Sequence, residues 1–258
     1  MRVYLCTDME GASGVTTPDD FEGNGRRYEF GRRMLTHDVI AAVEGFREAG
    51  ATRIVVLDGH GGGGNFIYED LPAGAEYVCG HGSPQPLPFL DDSFDAVGMI
   101  GQHARAGTPG AVYPHTQSYE SVLGLWANGV EIGEIGQFAI AAGAYGLPLV
   151  FLSGDLAAAE EVRDLCGDVE TAAVKVAAAQ TRARCLSLAA ATEAIREAAR
   201  RSVRLIGAAK PYTVKLPMEL RMRLTNARHA ESLVAGGAER VDLLTVRKFV
   251  DTPQAVYW

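Results

Sequence analysis

The chain has 258 residues, 47% of them hydrophobic and 22% charged, with a formal net charge of −8. That length supports one or two domains with an ordinary buried core. An acidic balance without a Lys/Arg run argues against nucleic acid or an anionic membrane surface as the main partner.

No apolar run approaches the roughly 18 residues a membrane helix needs. Met1-Arg-Val-Tyr-Leu5 leads straight into a strand rather than a signal segment. A cytoplasmic location is therefore expected. Cys6, Cys79, Cys166 and Cys185 lack C-x-x-C spacing and suit reduced, mostly buried thiols better than a disulfide frame or a structural zinc site.

Val3, Tyr4 and Leu5 begin a predicted strand that ends in a turn punctuated by Gly11 and Gly14. Asp8 and Glu10 stand at the junction. If the backbone is still extended there, a spacing of two puts both on one side. Two carboxylates about 4 Å apart repel by about 4 kcal/mol at an effective dielectric of about 20. Such a pair persists when a cation lies between them, a proton is shared or both reach water. The cation option demands further ligands at the ends of other strands.

A loop is expected over 17–27, then a long helix over 28–49 with Met34, Ile40, Val43 and Phe46 on one face and Gly50 as its stop. Arg53 to Leu57 reads as a buried strand that ends at Asp58-Gly-His60 and four glycines. That glycine run lacks a Gly-Lys-Ser/Thr ending and reads as a flexible loop beside His60 rather than a phosphate cradle. A helical turn within 66–74, a strand over 75–79, a loop marked by Pro84, Pro86 and Pro88, and a strand over 95–100 follow. The last of these ends at Gly101-Gln-His103. A Pro-flanked loop carries His115. A hairpin turning at Asn128-Gly129, a helix opening at Gly133-Glu134 and a strand over 148–152 come next. Further on, strands are expected over 171–176, 212–216 and 241–246, with helices over 190–205 and near 226–235.

Alternating β and α with apolar strands predicts an α/β fold: a mainly parallel sheet covered by helices on both faces, with a smaller α+β C-terminal portion. The expected division is 1–170 for the α/β metal-binding domain and 171–258 for the smaller subdomain. Asp8, Glu10, His60, His103 and Glu134 then all fall at the carboxyl edge of that sheet, where sites of open α/β sheets lie. Two histidines and three carboxylates suit zinc in a hydrolytic site, and five ligands suit two metals about 3.5–4 Å apart. Taken singly, each residue also has a plainer role: a solvated carboxylate, a hydrogen-bonded loop histidine, or a glutamate favoured by the helix dipole. His37 and His229 fall in helical stretches as surface or packing residues, and His81 is ambiguous.

Thr7-Asp8-Met9-Glu10-Gly11 with Ser13-Gly14 resembles the N-terminal signature of the zinc-dependent D-aminopeptidases, peptidase family M55, typified by a Bacillus dipeptide-transport-operon enzyme. The resemblance runs on through Asp58-Gly-His60, Gly101-Gln-His103-Ala-Arg105-Ala, Thr108-Pro-Gly110, His115, Gly133-Glu134-Ile-Gly136, Gly154-Asp155 and Thr171-Ala-Ala-Val-Lys175. It is strong to about residue 187 and weak beyond. It implies two zinc ions per chain on Asp8, Glu10, His60, His103 and Glu134, with His115 as the catalytic histidine. It also implies a homo-oligomer, decameric in the type enzyme, that acts on short peptides or amino amides. The chain departs from the pattern in its glycine loop after His60 and in a shorter, divergent C-terminal region.

The expected activity is removal of an amino-terminal D-residue, with a hydroxide bridging two metals attacking the scissile carbonyl. His115 would stabilise the tetrahedral intermediate or carry the proton to the leaving amine. Two alternatives are a metal-dependent amidase or peptidase on a non-D substrate, and a peptide-binding protein without catalysis.

Overall fold

The structure is a computed structural model and describes residues 1–83 and 85–258. Pro84, one of the three prolines expected to mark a loop, lies outside the described residues. The strands are β1 (Arg2–Thr7), β2 (Arg53–Leu57), β3 (Glu76–Val78), β4 (Ala96–Gln102), β5 (Val122–Ala127), β6 (Val130–Ile132), β7 (Leu149–Asp155), β8 (Glu170–Ala179), β9 (Arg182–Cys185), β10 (Met218–Leu224), β11 (Glu239–Arg240) and β12 (Thr245–Val250). The helices are α1 (Pro18–Phe21), α2 (Tyr28–Glu48), α3 (Glu134–Gly143), α4 (Leu156–Cys166), α5 (Leu188–Ser202) and α6 (Ala227–Ala235).

Seven strands form the first sheet in the order β3-β2-β1-β4-β7-β8-β9. Its pairs are parallel except β8 with β9. The central strands are apolar without a break because both faces are covered: every residue of β4 and β7 is buried. On one face, Leu35, Val39, Val43 and Phe46 of α2 and Ile195 of α5 pack over Val3, Leu5 and Val56. On the other, Ile135 and Phe138 of α3 and Val162 of α4 pack over Tyr4, Val97 and Leu152. The expected α/β architecture is the one found.

The second sheet is antiparallel throughout, in the order β11-β12-β10-β5-β6. Leu125, Ile132, Leu220 and Met222 from it cluster with Ile140 and Ala141 of α3. Helix α3 is therefore buried between two sheets. This explains its nearly all-apolar sequence after Glu134.

The sheets do not divide the chain at residue 170. Strands β8 and β9 complete the first sheet, and the β5–β6 hairpin joins the second. Tyr212 to Leu216 is not a strand; its Tyr212 and Val214 pack against the second-sheet core, and the backbone of Tyr212 passes over Gly143, where a Cβ would meet its carbonyl at 2.0 Å. The strand expected over 241–246 runs from Thr245 to Val250 instead. Helix α4 and strand β9 were not anticipated, nor was the four-residue α1 inside the expected loop. On α2 the buried stripe centres on Leu35, Val39, Val43 and Phe46, with Met34 and Ile40 at its margins. The cysteines are free as expected, but Cys79 is exposed and the other three are only half-buried.

Candidate metal centre

Strand β1 stops at Thr7, so Asp8 and Glu10 do not converge by strand alternation. They converge because the next residues are tied down to the end of β4. Asp8 N–H donates to the Ile100 carbonyl and Gly11 N–H to the Gly101 carbonyl, both at 2.8 Å. This contact needs glycine on both sides. A Cβ on Gly11 would meet the Gln102 carbonyl oxygen at 1.9 Å, and one on Gly101, at φ +73, would meet the Asp8 carbonyl oxygen at 2.1 Å.

The turn is held from below by Lys175 of β8. Its fully buried ammonium donates to the carbonyl oxygens of Ala12, at 2.8 Å, and of Glu10 and Val15. Burial pulls this lysine down to about 8.

The other predicted residues arrive at the same place. His60 Nε2 lies 3.3 Å from Glu10 Oε1. His103 Nε2 lies 3.2 Å from Asp8 Oδ2 and 3.6 Å from Glu134 Oε1. His115 Nε2 lies 3.8 Å from both Glu10 Oε1 and Glu134 Oε1. The site thus joins the ends of β1, β2 and β4, the first residue of α3, and the loop between β4 and β5. His81 and His37 are exposed, and His229 packs by Thr225 and Asn226; none of them joins the cluster.

Each ring is oriented through its other nitrogen. His103 Nδ1 faces the Ala104 carbonyl at 2.9 Å, and His115 Nδ1 faces the Tyr113 carbonyl at 3.0 Å. His60 Nδ1 faces Asn65 Oδ1 at 3.4 Å. The Asn65 amide is itself fixed: Nδ2 donates to Asp58 Oδ1 and to the His60 carbonyl, and Oδ1 accepts from Tyr28 Oη. With Nδ1 of each ring turned to an oxygen, Nε2 is the nitrogen that faces inward, the orientation metal-binding histidines use.

Three buried atoms here find no hydrogen-bond partner among the described residues: Asp8 Oδ2, Glu10 Oε2 and His103 Nε2. Buried acceptors left bare are costly in a folded protein. Asp8, Glu10 and His103 form one group able to hold a metal ion, and His103, His115 and Glu134 form another. Carboxylate oxygen with imidazole nitrogen is a donor set that zinc accepts.

The electrostatics match. Burial, then the Glu10 charge, pushes the Asp8 carboxyl well above its ordinary value. For Glu10 burial works upward, but His60 outweighs it and the carboxyl sits well below the usual range. His60 rises to about 10 because Glu10 overcomes its burial. His103 is likewise raised by Glu134 against its burial. Among the three histidines of the cluster His115 alone moves down, through burial and the neighbouring His103.

The loop that carries His115 is pinned at several points. Val112 N–H donates to Asp155 Oδ2 at 2.8 Å, and Gln117 N–H donates to Glu134 Oε1 at 2.8 Å. Asp155 also caps α4 by accepting from Ala158 N–H. A cleft of about 710 Å³ opens over Glu10, His60 and His115, with Gly61 to Gly63 on one side and Tyr113 and Tyr119 on the other.

Residues 1–258 match the M55 peptidase family, described as D-aminopeptidase. The chain belongs to this family, and is a peptidase of that class. A D-aminopeptidase of Bacillus subtilis (strain 168) is 33% identical over 252 residues, spanning 96% of this chain and 90% of the relative. A solved structure, the Zn-dependent D-aminopeptidase DppA from Bacillus subtilis, a self-compartmentalizing protease, superposes with a TM-score of 0.95 at 29% identity. The match covers 100% of this chain and 94% of that one.

Sequence reasoning found the six cluster residues but not what holds them. The roles of Asn65, Asp155 and Lys175 depend on contacts across 7, 43 and 163 residues. The Gly154-Asp155 and Thr171 to Lys175 motifs were the one signal that marked the last two.

Proposed function

We propose that this protein is a zinc-dependent aminopeptidase that removes an amino-terminal D-residue from short peptides or amino amides. Asp8, Glu10, His60, His103 and Glu134 would hold two zinc ions per chain. The observation that carries this reading is the set of bare, buried acceptors on Asp8, Glu10 and His103, surrounded by inward-facing Nε2 atoms. Zinc bound there supplies a water acidified toward neutral pH and a Lewis acid for the scissile carbonyl.

The chain's own contribution is proton handling and order. His115 Nδ1–H is engaged by the Tyr113 carbonyl, so Nε2 faces the cleft as the base and proton carrier. Burial keeps that ring uncharged at neutral pH, able to take a proton and pass it to the leaving amine. Asp155 and Glu134 fix the loop that presents it.

The self-compartmentalizing relative supports a homo-oligomer, decameric by family resemblance. No helix among the described residues is long and apolar enough to cross a membrane, which agrees with a cytoplasmic location.

A second reading, a metal-dependent amidase on a non-D substrate, draws on the glycine loop, which walls the cleft at Gly61 to Gly63 without side chains. Metal content per chain by elemental analysis, followed by rates on D- and L-alanine p-nitroanilide, tests both. Two zinc per chain and faster cleavage of the D-isomer are expected. A clear L preference would replace the first reading with the second. Fewer than one zinc per chain, with tight peptide binding and no turnover, would leave a binding protein.

A further inference from the structure

Beside His115 the cleft wall is aromatic. Tyr113 and Tyr119 stack with centroids 4.4 Å apart and planes 18° from parallel. Phe21 leans on Tyr113 at 4.8 Å, and Tyr113 meets His115 edge-on at 5.6 Å. Tyr113 is held in the left-handed backbone region at φ 45, where side chains are disfavoured, with its N–H on the Gln180 carbonyl at 2.9 Å.

The same wall bears two exposed carboxylates, Glu22 and Glu120, and the cleft lining includes no lysine or arginine. Two of the basic residues that follow Glu22 are paired elsewhere: Arg27 with Asp20 at 2.7 Å and Arg32 with Glu29 at 3.0 Å. After burial, Glu22 is the main influence raising the Tyr113 phenol, and Glu120 adds to it, so both charges act on one ring.

Stacked aromatic faces with carboxylates at the rim recognise cations: the ring face attracts an ammonium or guanidinium group and the carboxylates complete its charge. We propose that Phe21, Tyr113 and Tyr119, with Glu22 and Glu120, form a subsite for a cationic side chain of the peptide substrate, next to the bond that is cut. This rests on the aminopeptidase reading and specifies its substrate class: peptides bearing a lysine-like or arginine-like residue over those bearing an acidic one. The α-ammonium is common to all substrates and so does not distinguish them; the side chain does.

The test compares kcat/KM of the zinc-loaded protein on D-Ala-Gly with D-Ala-D-Lys and D-Ala-D-Glu, and with D-Lys-Gly and D-Glu-Gly. At one of the two positions the lysine peptide is expected to exceed the neutral one by about tenfold at low salt, with the glutamate peptide slower still. Raising the ionic strength should shrink that ratio. The Glu22→Gln/Glu120→Gln double variant should bring lysine and neutral peptides within about twofold, with D-Ala-Gly turnover unchanged. Tyr119→Leu should lower the lysine preference by about threefold while both carboxylates remain. Equal rates on lysine and neutral peptides in the unaltered protein, or a ratio untouched in the double variant, would overturn the subsite. If D-Ala-Gly is not cleaved at any zinc level, the aminopeptidase reading falls instead. Calorimetric affinities of the lysine and neutral peptides for the unaltered and double-variant proteins then decide the subsite on their own.

Discussion

His103 and His115 stack face to face, with ring centroids 4.0 Å apart and planes 9° from parallel. They come from one loop, between β4 and β5, and do different work. His103 is fully enclosed between Asp8 and Glu134 and is held toward the charged form by them. His115 lies at the cleft, and burial together with His103 lowers it. A cation bound beside it pushes in the same direction.

That difference predicts the pH profile. His115 is neutral at neutral pH and gains its proton below the ordinary imidazole value of about 6.5. Activity should therefore fall on the acid side, with a limb below about pH 6.5. His115→Ala should reduce kcat by about 100-fold or more and keep its metal. Full turnover in that variant, measured with zinc content in parallel, would remove His115 from the chemistry.

Metal should be a stability element as well. Asp8 is raised by burial and by Glu10, so in the metal-free protein the unfolded chain gives up this proton first. Asp8's own contribution to the metal-free fold should fall as pH rises from about 4 through its raised value. Zinc at about 100 times its Kd adds about 2.7 kcal/mol, or roughly 5–10 °C in Tm. Chelator titration followed by calorimetry reads this directly. Asp8→Ala should lose zinc and the zinc-dependent rise together; two zinc per chain in that variant would refute the ligand scheme.

Lys175 should matter without touching substrate. Its ammonium serves the carbonyls of Glu10, Ala12 and Val15, and methionine in its place leaves them buried and bare. Lys175→Met is expected to cost about 3 kcal/mol or more and to weaken zinc binding, because the turn that carries Glu10 is released. Urea denaturation with and without zinc measures both. An unchanged midpoint would mean that the turn holds itself.

Asp38 offers a second pH test, away from the metal. It accepts from Ser13 N–H at 2.8 Å, and burial pushes its carboxyl up to about 6. With the folded value above the unfolded one, its contribution falls as pH rises from about 4 to about 6, by about 3 kcal/mol in all. Asp38→Asn keeps an oxygen for Ser13 and lacks this titration. The variant should gain on the parent by that order of magnitude between roughly pH 4.5 and pH 7.5. Parallel urea curves at all pH values would show that Asp38 ionises freely.

Much of this protein was legible in its sequence. Strand β2 and helix α6 fall within a residue of expectation because local pattern and end signals agree there. Asp8, Glu10, His60, His103 and Glu134 could be gathered because a parallel sheet places every strand's carboxyl end along one edge. That is a consequence of topology, available before any coordinate. His115 was marked by the family resemblance alone.

Tertiary structure alone decided the rest. Tyr212 to Leu216 alternates like a strand, yet its apolar side chains are used against the second core and its backbone crosses α3. The β5–β6 hairpin and β10–β12 share a sheet although 97 residues separate Leu125 from its partner Met222, and no local pattern records such a pairing. Asp8 and Glu10 face one another because a turn is bound to β4 and clamped by Lys175, not because a strand continues. Residue identity and periodicity determine which side chains can reach the sheet edge. Long-range hydrogen bonds and burial determine how closely they meet there, and it is that closeness that leaves their acceptors bare and ready for a metal.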